Sequence, residues 1–88
     1  MPNAEEQKHH RAIFCNVINQ PEITFTADAL LNKFQFYFGN STPSYAYKKV
    51  KFYEHYGKEV VQNYLQLTPQ QQTFVKHNFE QCIDLLEK

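Results

Sequence analysis

The chain has 88 residues, of which 42% are apolar and 16% aromatic, with only two glycines and four prolines. This composition excludes a disordered tail and a linker-rich chain, and it predicts one globular domain. Nine basic and nine acidic residues cancel, so the total charge favours no class of partner. The basic residues are nevertheless unevenly distributed. Residues 45–58 contain Lys48, Lys49, Lys51 and Lys58, with Glu54 as the single acid.

The first predicted helix covers residues 4–18. Asn3 and Glu6 have the spacing of a capping box, and Pro21 lies just beyond the predicted end. Apolar side chains occupy a broad face of its second half. Residues 23–25 alternate between apolar and polar, which predicts an extended bridge or a very short strand.

The second predicted helix covers residues 27–38, with Thr26 as its N-cap and Gly39 closing it. Its apolar side chains recur at the helical period and define one stripe. Phe36 is the exception, because it projects from the opposite side, among polar neighbours. The stripe consists of Ala27, Leu30, Leu31, Phe34, Tyr37 and Phe38.

A third helix is predicted over residues 43–56, since proline is favoured at the first helical position and Gly57 can close the helix in a left-handed cap. A short fourth helix is predicted over residues 58–66. The fifth begins at Pro69 after the N-cap Thr68, with Gln71 completing a capping box. Phe74 and Leu85 lie off its apolar seam. That seam consists of Val75, Phe79, Cys82, Ile83 and Leu86.

These elements predict an all-α, compact single domain of about five short amphipathic helices, arranged as an orthogonal bundle or in a helix-turn-helix-like way. A winged-helix variant stays open if residues 23–25 pair with another strand. The second and third predicted helices, with the turn at residues 39–42, resemble a helix-turn-helix over about thirty residues. Two positions that are small or apolar in that motif hold Gln35 and Asn40 here. No motif is specific enough to indicate a family.

One face of the predicted helix 43–56 carries Ser44, Tyr47, Lys48, Lys51 and His55. Lysines neutralise phosphates, and hydroxyl groups donate to phosphate oxygens, so this face predicts contact with nucleic acid by a transcription-regulator-like domain. Two alternatives stay open. The face is the solvated side of an amphipathic helix, or it meets an acidic surface of a protein partner.

Three apolar side chains miss the stripes of their own helices, namely Phe36, Phe74 and Leu85. Interfaces favour aromatic anchors, so these residues predict a protein–protein module such as an inhibitor, immunity protein, antitoxin or adaptor. A homodimer is an alternative use of the same side chains. The other alternative is that central helices pack on two sides.

Catalytic and metal-binding patterns are absent from the sequence. None of the four histidines stands four residues from another, and no Cys-x-x-Cys pair accompanies them. His9 and His10 are expected to be a solvent-exposed pair. No glycine-rich phosphate loop or carboxylate pair stands out. We therefore expect a protein that is not an enzyme and uses no cofactor or metal.

The cysteines and the N-terminal residues indicate the cellular compartment. Cys15 and Cys82 each fall on a predicted apolar face, which predicts buried, reduced thiols that act as small hydrophobic side chains. The first ten residues are polar, and no apolar run approaches the roughly 18 residues of a membrane span. The sequence therefore predicts a cytoplasmic protein with no membrane partner.

Overall fold

The computed structural model describes residues 2–19, 26–40 and 51–87. These ranges contain five helices and no strand, which confirms the all-α prediction for this part of the chain. The short strand predicted at residues 23–25 lies outside the described residues. The helices are α1 (Ala4–Val17), α2 (Ala27–Asn40), α3 (Glu54–Leu65), α4 (Pro69–His77) and α5 (Phe79–Leu85).

The core forms around α1, which packs against α2, α3 and α5. Helix α2 also packs against α3, and α4 packs against α5. Aromatic rings fill the centre: the ring of Phe14 lies 5.2 Å from that of Phe34 and 5.5 Å from that of Tyr64, both edge to face. Such pairs add to the free energy gained by burying apolar area.

The starts of α1, α2 and α4 follow the predicted capping chemistry, whereas α3 and α5 have no side-chain cap. The amide of Glu6 donates to Asn3 Oδ1 at 2.8 Å, and the amide of Asn3 donates to Glu6 Oε1 at 2.9 Å. At α2, the amide of Ala29 donates to Thr26 Oγ1 at 3.2 Å. At α4, Thr68 and Gln71 form a second reciprocal capping box. A side chain of suitable type and spacing was enough to locate each start.

Neither glycine ends a helix, so both predicted C-caps are wrong. Helix α2 continues through Gly39 to Asn40, and no described glycine has a positive φ angle. The predicted helix over 43–56 is wrong at residues 51–53, which are not helical, and its residues 43–50 lie outside the described residues. Helix α3 begins at Glu54 and passes through Gly57. Gly57 serves close packing instead, because the ring of Phe52 lies over it.

The fifth predicted helix is divided into α4 and α5 at Asn78, whose φ of −137° and ψ of 84° are not helical. The Asn78 side chain donates to the carbonyl of Phe74 at 2.8 Å. Asparagine side chains compete in this way with the hydrogen bonds of a helix. The break shifts the helical phase. Phe79 is therefore 44% exposed, although it was predicted to belong to the buried apolar seam. Val75, Cys82 and Ile83 are buried as predicted.

The expectation of reduced thiols is wrong. Cys15 and Cys82 form a disulfide that joins α1 to α5 across a sequence separation of 67 residues. Both cysteines are buried, as the apolar faces predicted. The sequence could not show that α1 and α5 pack side by side, and this packing brings the two Cα atoms to 6.1 Å.

Candidate binding surfaces

The predicted nucleic-acid face is only partly within the described residues. Ser44, Tyr47 and Lys48 lie outside them. Lys51 and His55 are both exposed, but they do not share a helix, because Lys51 precedes α3 and His55 lies in its first turn. A single helical stripe through both residues is therefore ruled out.

Lys51 and His55 line one groove of about 410 Å³ at the start of α3. The ammonium of Lys51 lies 5.4 Å from the centroid of the Tyr53 ring, a cation–π distance. His55, whose side chain is 86% exposed, has Nε2 at 3.7 Å from Glu59 Oε1. Glu54 is exposed beside them. The groove thus combines positive and negative groups with aromatic walls.

Phe36 is the most exposed of the large apolar side chains in the described residues, at 67%. The centroid of its ring lies 5.9 Å from that of Tyr37, which is half-buried against the core. Asn32 and Asn40, four residues to either side on the helix, are exposed and polar. Phe36 and Tyr37 form what we call the α2 aromatic patch.

The other two candidate interface residues differ from each other. Phe74 on α4 is 47% exposed, whereas Leu85 on α5 is half-buried and packs against the core. Leu85 therefore offers little area to a partner, and its position matches the alternative in which a helix packs on two sides. The break at Asn78 leaves Phe79 exposed as well, and no feature of the predicted continuous helix indicated this.

The expectation that His10 is solvent-exposed is wrong, since its exposure is 0%. Its Nδ1 lies 2.7 Å from the carbonyl oxygen of Glu6, and its Nε2 lies 3.0 Å from the amide nitrogen of Tyr53. A carbonyl only accepts and an amide N–H only donates, so Nδ1 carries the proton and Nε2 accepts. Both contacts require the neutral ring in one tautomer.

Aromatic rings enclose His10. The ring of Phe38 on α2 lies at 4.4 Å between centroids, and the ring of Phe52 stacks on the imidazole at 5.5 Å and 20°. Burial is the main cause that lowers the pKa of His10 below its usual 6.5, and the neighbouring His9 adds to the effect. The Glu6 carbonyl and carboxylate oppose it. The remaining rings are those of Phe34, Tyr53 and Tyr56.

Arg11 is the second buried polar group, at 5% exposure. Its Nε donates to the carbonyl of Ile83 at 2.8 Å, and its Nη1 donates to the hydroxyl of Tyr56 at 2.8 Å. These bonds tie α1 to α5 and to α3. The sequence does contain a signal for the burial of His10 and Arg11, because each lies one helical turn before a core position, Phe14 and Cys15 respectively.

The described residues contain no group of three or more His, Cys, Asp or Glu side chains placed to hold a metal ion. Within the same ranges, no helix is long and apolar enough to cross a membrane. The candidate binding surfaces considered in this part of the chain include the α2 aromatic patch, the exposed Phe74 and Phe79, and the groove at the start of α3. No family model, curated protein or solved structure matches this chain.

Proposed function

We propose that this chain is a non-enzymatic binding module that contacts another protein through the α2 aromatic patch. The observation that carries the proposal is the 67% exposure of Phe36 on a helix whose opposite face is buried. Burying a phenylalanine side chain contributes roughly 1.5–3 kcal/mol, and this contribution is unused in the described chain. Aromatic side chains anchor protein interfaces more often than other residues do.

The surroundings of Phe36 also suit an interface. Its helical neighbours Asn32, Gln35 and Asn40 are exposed and polar, which is the arrangement of an apolar centre within a polar rim. Gly39 lies one turn further along, and a Cβ atom placed on it would meet nothing within 4 Å. A partner could therefore approach the α2 backbone beside the ring of Phe36. An inhibitor, immunity protein, antitoxin or adaptor would use such a surface.

The test compares Phe36→Ser with Phe79→Ser, which removes a less exposed aromatic ring, at 44%, from α5. Because Phe36 projects away from the core, we expect the stability of Phe36→Ser to change by no more than about 0.5 kcal/mol. A protein retained by the immobilised wild type and by Phe79→Ser should be lost with Phe36→Ser. Sedimentation of the chain alone over a concentration series identifies a homodimer, which Phe36→Ser should dissociate.

Two results would contradict the proposal. In the first, Phe36→Ser unfolds as readily as a core variant, which would mean that the ring is needed inside the fold. In the second, Phe36→Ser and Phe79→Ser keep every partner and the same mass as the wild type.

Contact with nucleic acid is a second candidate, supported by the exposure of Lys51 and His55 in one groove. The carboxylates of Glu54 and Glu59 beside them reduce the local positive charge, so we rank it below protein binding. Titration of duplex DNA at two salt concentrations tests it. Lys48→Ala with Lys51→Ala should reduce the salt slope by about 2, whereas Lys8→Ala on α1 should leave it unchanged. No binding at low salt would exclude this candidate.

The disulfide bears on where such a module would act. Disulfides persist in oxidising compartments and are rare in the cytosol, where thiols are kept reduced. A cytoplasmic location was expected partly because the cysteines were predicted to be reduced, and the disulfide removes that reason. We infer that the chain acts where the bond between Cys15 and Cys82 is maintained.

A further inference from the structure

His10 on α1 holds the residue that caps α3. The carbonyl of Tyr53 accepts from the amide of Gly57 at 2.8 Å, which makes Tyr53 the N-cap of α3, and Tyr53 has no side-chain cap bond. Its own amide donates to Nε2 of His10 at 3.0 Å. The backbone at the start of α3 is thus bonded to α1 through one imidazole lone pair, beside two side-chain bonds, from the Tyr53 hydroxyl to Glu6 and from Arg11 to the Tyr56 hydroxyl.

Among the described residues, no acidic group replaces that lone pair if the ring becomes charged. The Glu6 carboxylate is already engaged, with Oε1 accepting from the Asn3 amide at 2.9 Å and Oε2 accepting from the Tyr53 hydroxyl at 3.3 Å. From α2, only the uncharged rings of Phe34 and Phe38 face the imidazole. A protonated Nε2 would point a second N–H at the Tyr53 amide, so a donor would face a donor.

The other titratable and charged groups nearby do not favour a cation either. On α1, positive charge on the neighbouring His9 opposes positive charge on His10, and the Arg11 guanidinium donates to the Ile83 carbonyl and the Tyr56 hydroxyl. From α3 and the residues before it come the rings of Tyr56 and Tyr53, with the Lys51 ammonium over the latter at 5.4 Å. His10 is therefore enclosed by aromatic rings, and the Glu6 carboxylate near it already has partners.

We propose that His10 is a proton-operated latch: when Nε2 takes up a proton from solvent, the ring releases the Tyr53 amide and residues 51–53 separate from α1. The segment has space beside it, because it lines a groove of about 410 Å³ together with Pro2. Release would uncover the ring of Phe52 and reposition Lys51. The proposal goes beyond the proposed protein-binding function and does not depend on it.

The direction of the pH effect follows from linkage. The pKa of His10 is lower in the folded chain than its usual 6.5. At any pH between these two pKa values, the unfolded or opened form therefore binds more protons than the closed form. The latch is therefore most stable above about pH 6.5 and weakens as the pH falls through that value. The weakening stops once the pH is below the lowered pKa.

Hydrogen exchange of the Tyr53 amide provides a local readout. After correction for the intrinsic exchange rate, the opening constant of this amide should rise by up to about tenfold per pH unit between about pH 6.5 and pH 5. The amide of Cys82, which donates to the carbonyl of Asn78 in α5 at 2.8 Å, should keep its protection. This contrast separates local release from global unfolding.

Two variants complete the experiment. His10→Gln can present an amide oxygen to the Tyr53 amide but has no proton to gain, so the protection of Tyr53 should become independent of pH. His55→Gln removes an exposed histidine from α3 and should retain the wild-type dependence. Titration of the wild-type His10 ring by NMR gives an answer even if His10→Gln does not fold.

Three outcomes would overturn the latch: a His10 ring that titrates at or above the usual 6.5, equal pH dependence in His10→Gln and the wild type, or simultaneous loss of protection at Tyr53 and Cys82.

Discussion

At the scale of single residues, two buried tyrosine hydroxyls in the described interior differ in whether they have a hydrogen-bond partner. The Tyr56 hydroxyl is buried and accepts a hydrogen bond from Arg11 at 2.8 Å. The Tyr64 hydroxyl is buried and has no hydrogen-bond partner among the described residues. Burial also raises the pKa of Tyr64. The same side chain thus stabilises the fold at one position and is a liability at the other.

Phenylalanine substitutions should separate these two tyrosines. Tyr64→Phe removes a buried hydroxyl that makes no bond and keeps the ring against Phe14, so we expect it to raise the free energy of unfolding by about 1 kcal/mol. Tyr56→Phe leaves the Arg11 Nη1 donor without its partner and should lower the free energy of unfolding by about 1–3 kcal/mol. Urea unfolding above pH 7 measures both. Equal effects of the two substitutions would contradict this assignment.

At the scale of the helices, the two glycines occupy opposite environments. A Cβ atom at Gly39 would meet nothing within 4 Å, whereas one at Gly57 would lie 2.5 Å from Cζ of Phe52. The Phe52 ring cannot easily move aside, because the rings of Phe34 and Phe38 each lie 5.1 Å from it. Gly57 is therefore required for packing, and Gly39 is not.

Alanine at each glycine tests this difference. Gly39→Ala should stabilise the chain by roughly 0.5–1 kcal/mol, since alanine favours the helix and meets no neighbour. Gly57→Ala has the same gain in helix propensity but crowds Phe52, and we expect a net loss of about 1–3 kcal/mol. Thermal unfolding of the two variants at one pH provides the comparison. A stabilised Gly57→Ala would show that Phe52 does not pack as described.

The helices also show which local features a sequence predicts. Caps need only a side-chain oxygen three residues before a free amide, so Asn3, Thr26 and Thr68 were found directly. Glycine is ambiguous, because it serves equally as a left-handed cap and as a site of close approach. At Gly57 the deciding contact comes from Phe52, five residues earlier, and it depends on how the core closes. Asn78 shows the same limit, because its side chain ended a periodic pattern that looked continuous.

At the scale of the whole molecule, the disulfide is a covalent link across a separation of 67 residues. Linking distant residues stabilises a fold mainly by restricting the unfolded chain, and the restriction grows with the length of the loop. The bond joins α1 to the short helix α5. We therefore expect the bond to matter most for keeping α5, and with it α4, on the core.

Removal of the disulfide should lower the free energy of unfolding by about 2–4 kcal/mol in a variant with Cys15→Ala and Cys82→Ala. A reductant should destabilise the wild type by a similar amount and leave the double variant unchanged. Urea unfolding with and without reductant measures this. If alkylation shows that the thiols are reduced and the midpoint of the wild type does not move, the bond does not support the fold.

The candidate surfaces were less predictable than the fold class. Phe36 could be identified because the phase of a single helix places it outside the stripe. The basic face could not be predicted correctly. Its prediction required one helix across residues 43–56, whereas α3 begins at Glu54. The site around His10 depends on contacts between α1, α2 and the residues before α3. No local pattern encodes such a meeting of three segments.

The bond between α1 and α5 also makes most of the chain a covalent ring, closed at Cys15 and Cys82. A protease that cuts one peptide bond anywhere between these two cysteines produces two pieces that remain attached to each other. The nicked protein would keep its mass, apart from one added water, and would run as two fragments only after reduction. Both cysteines are also buried, so a reductant must wait for the fold to open before it can separate the pieces.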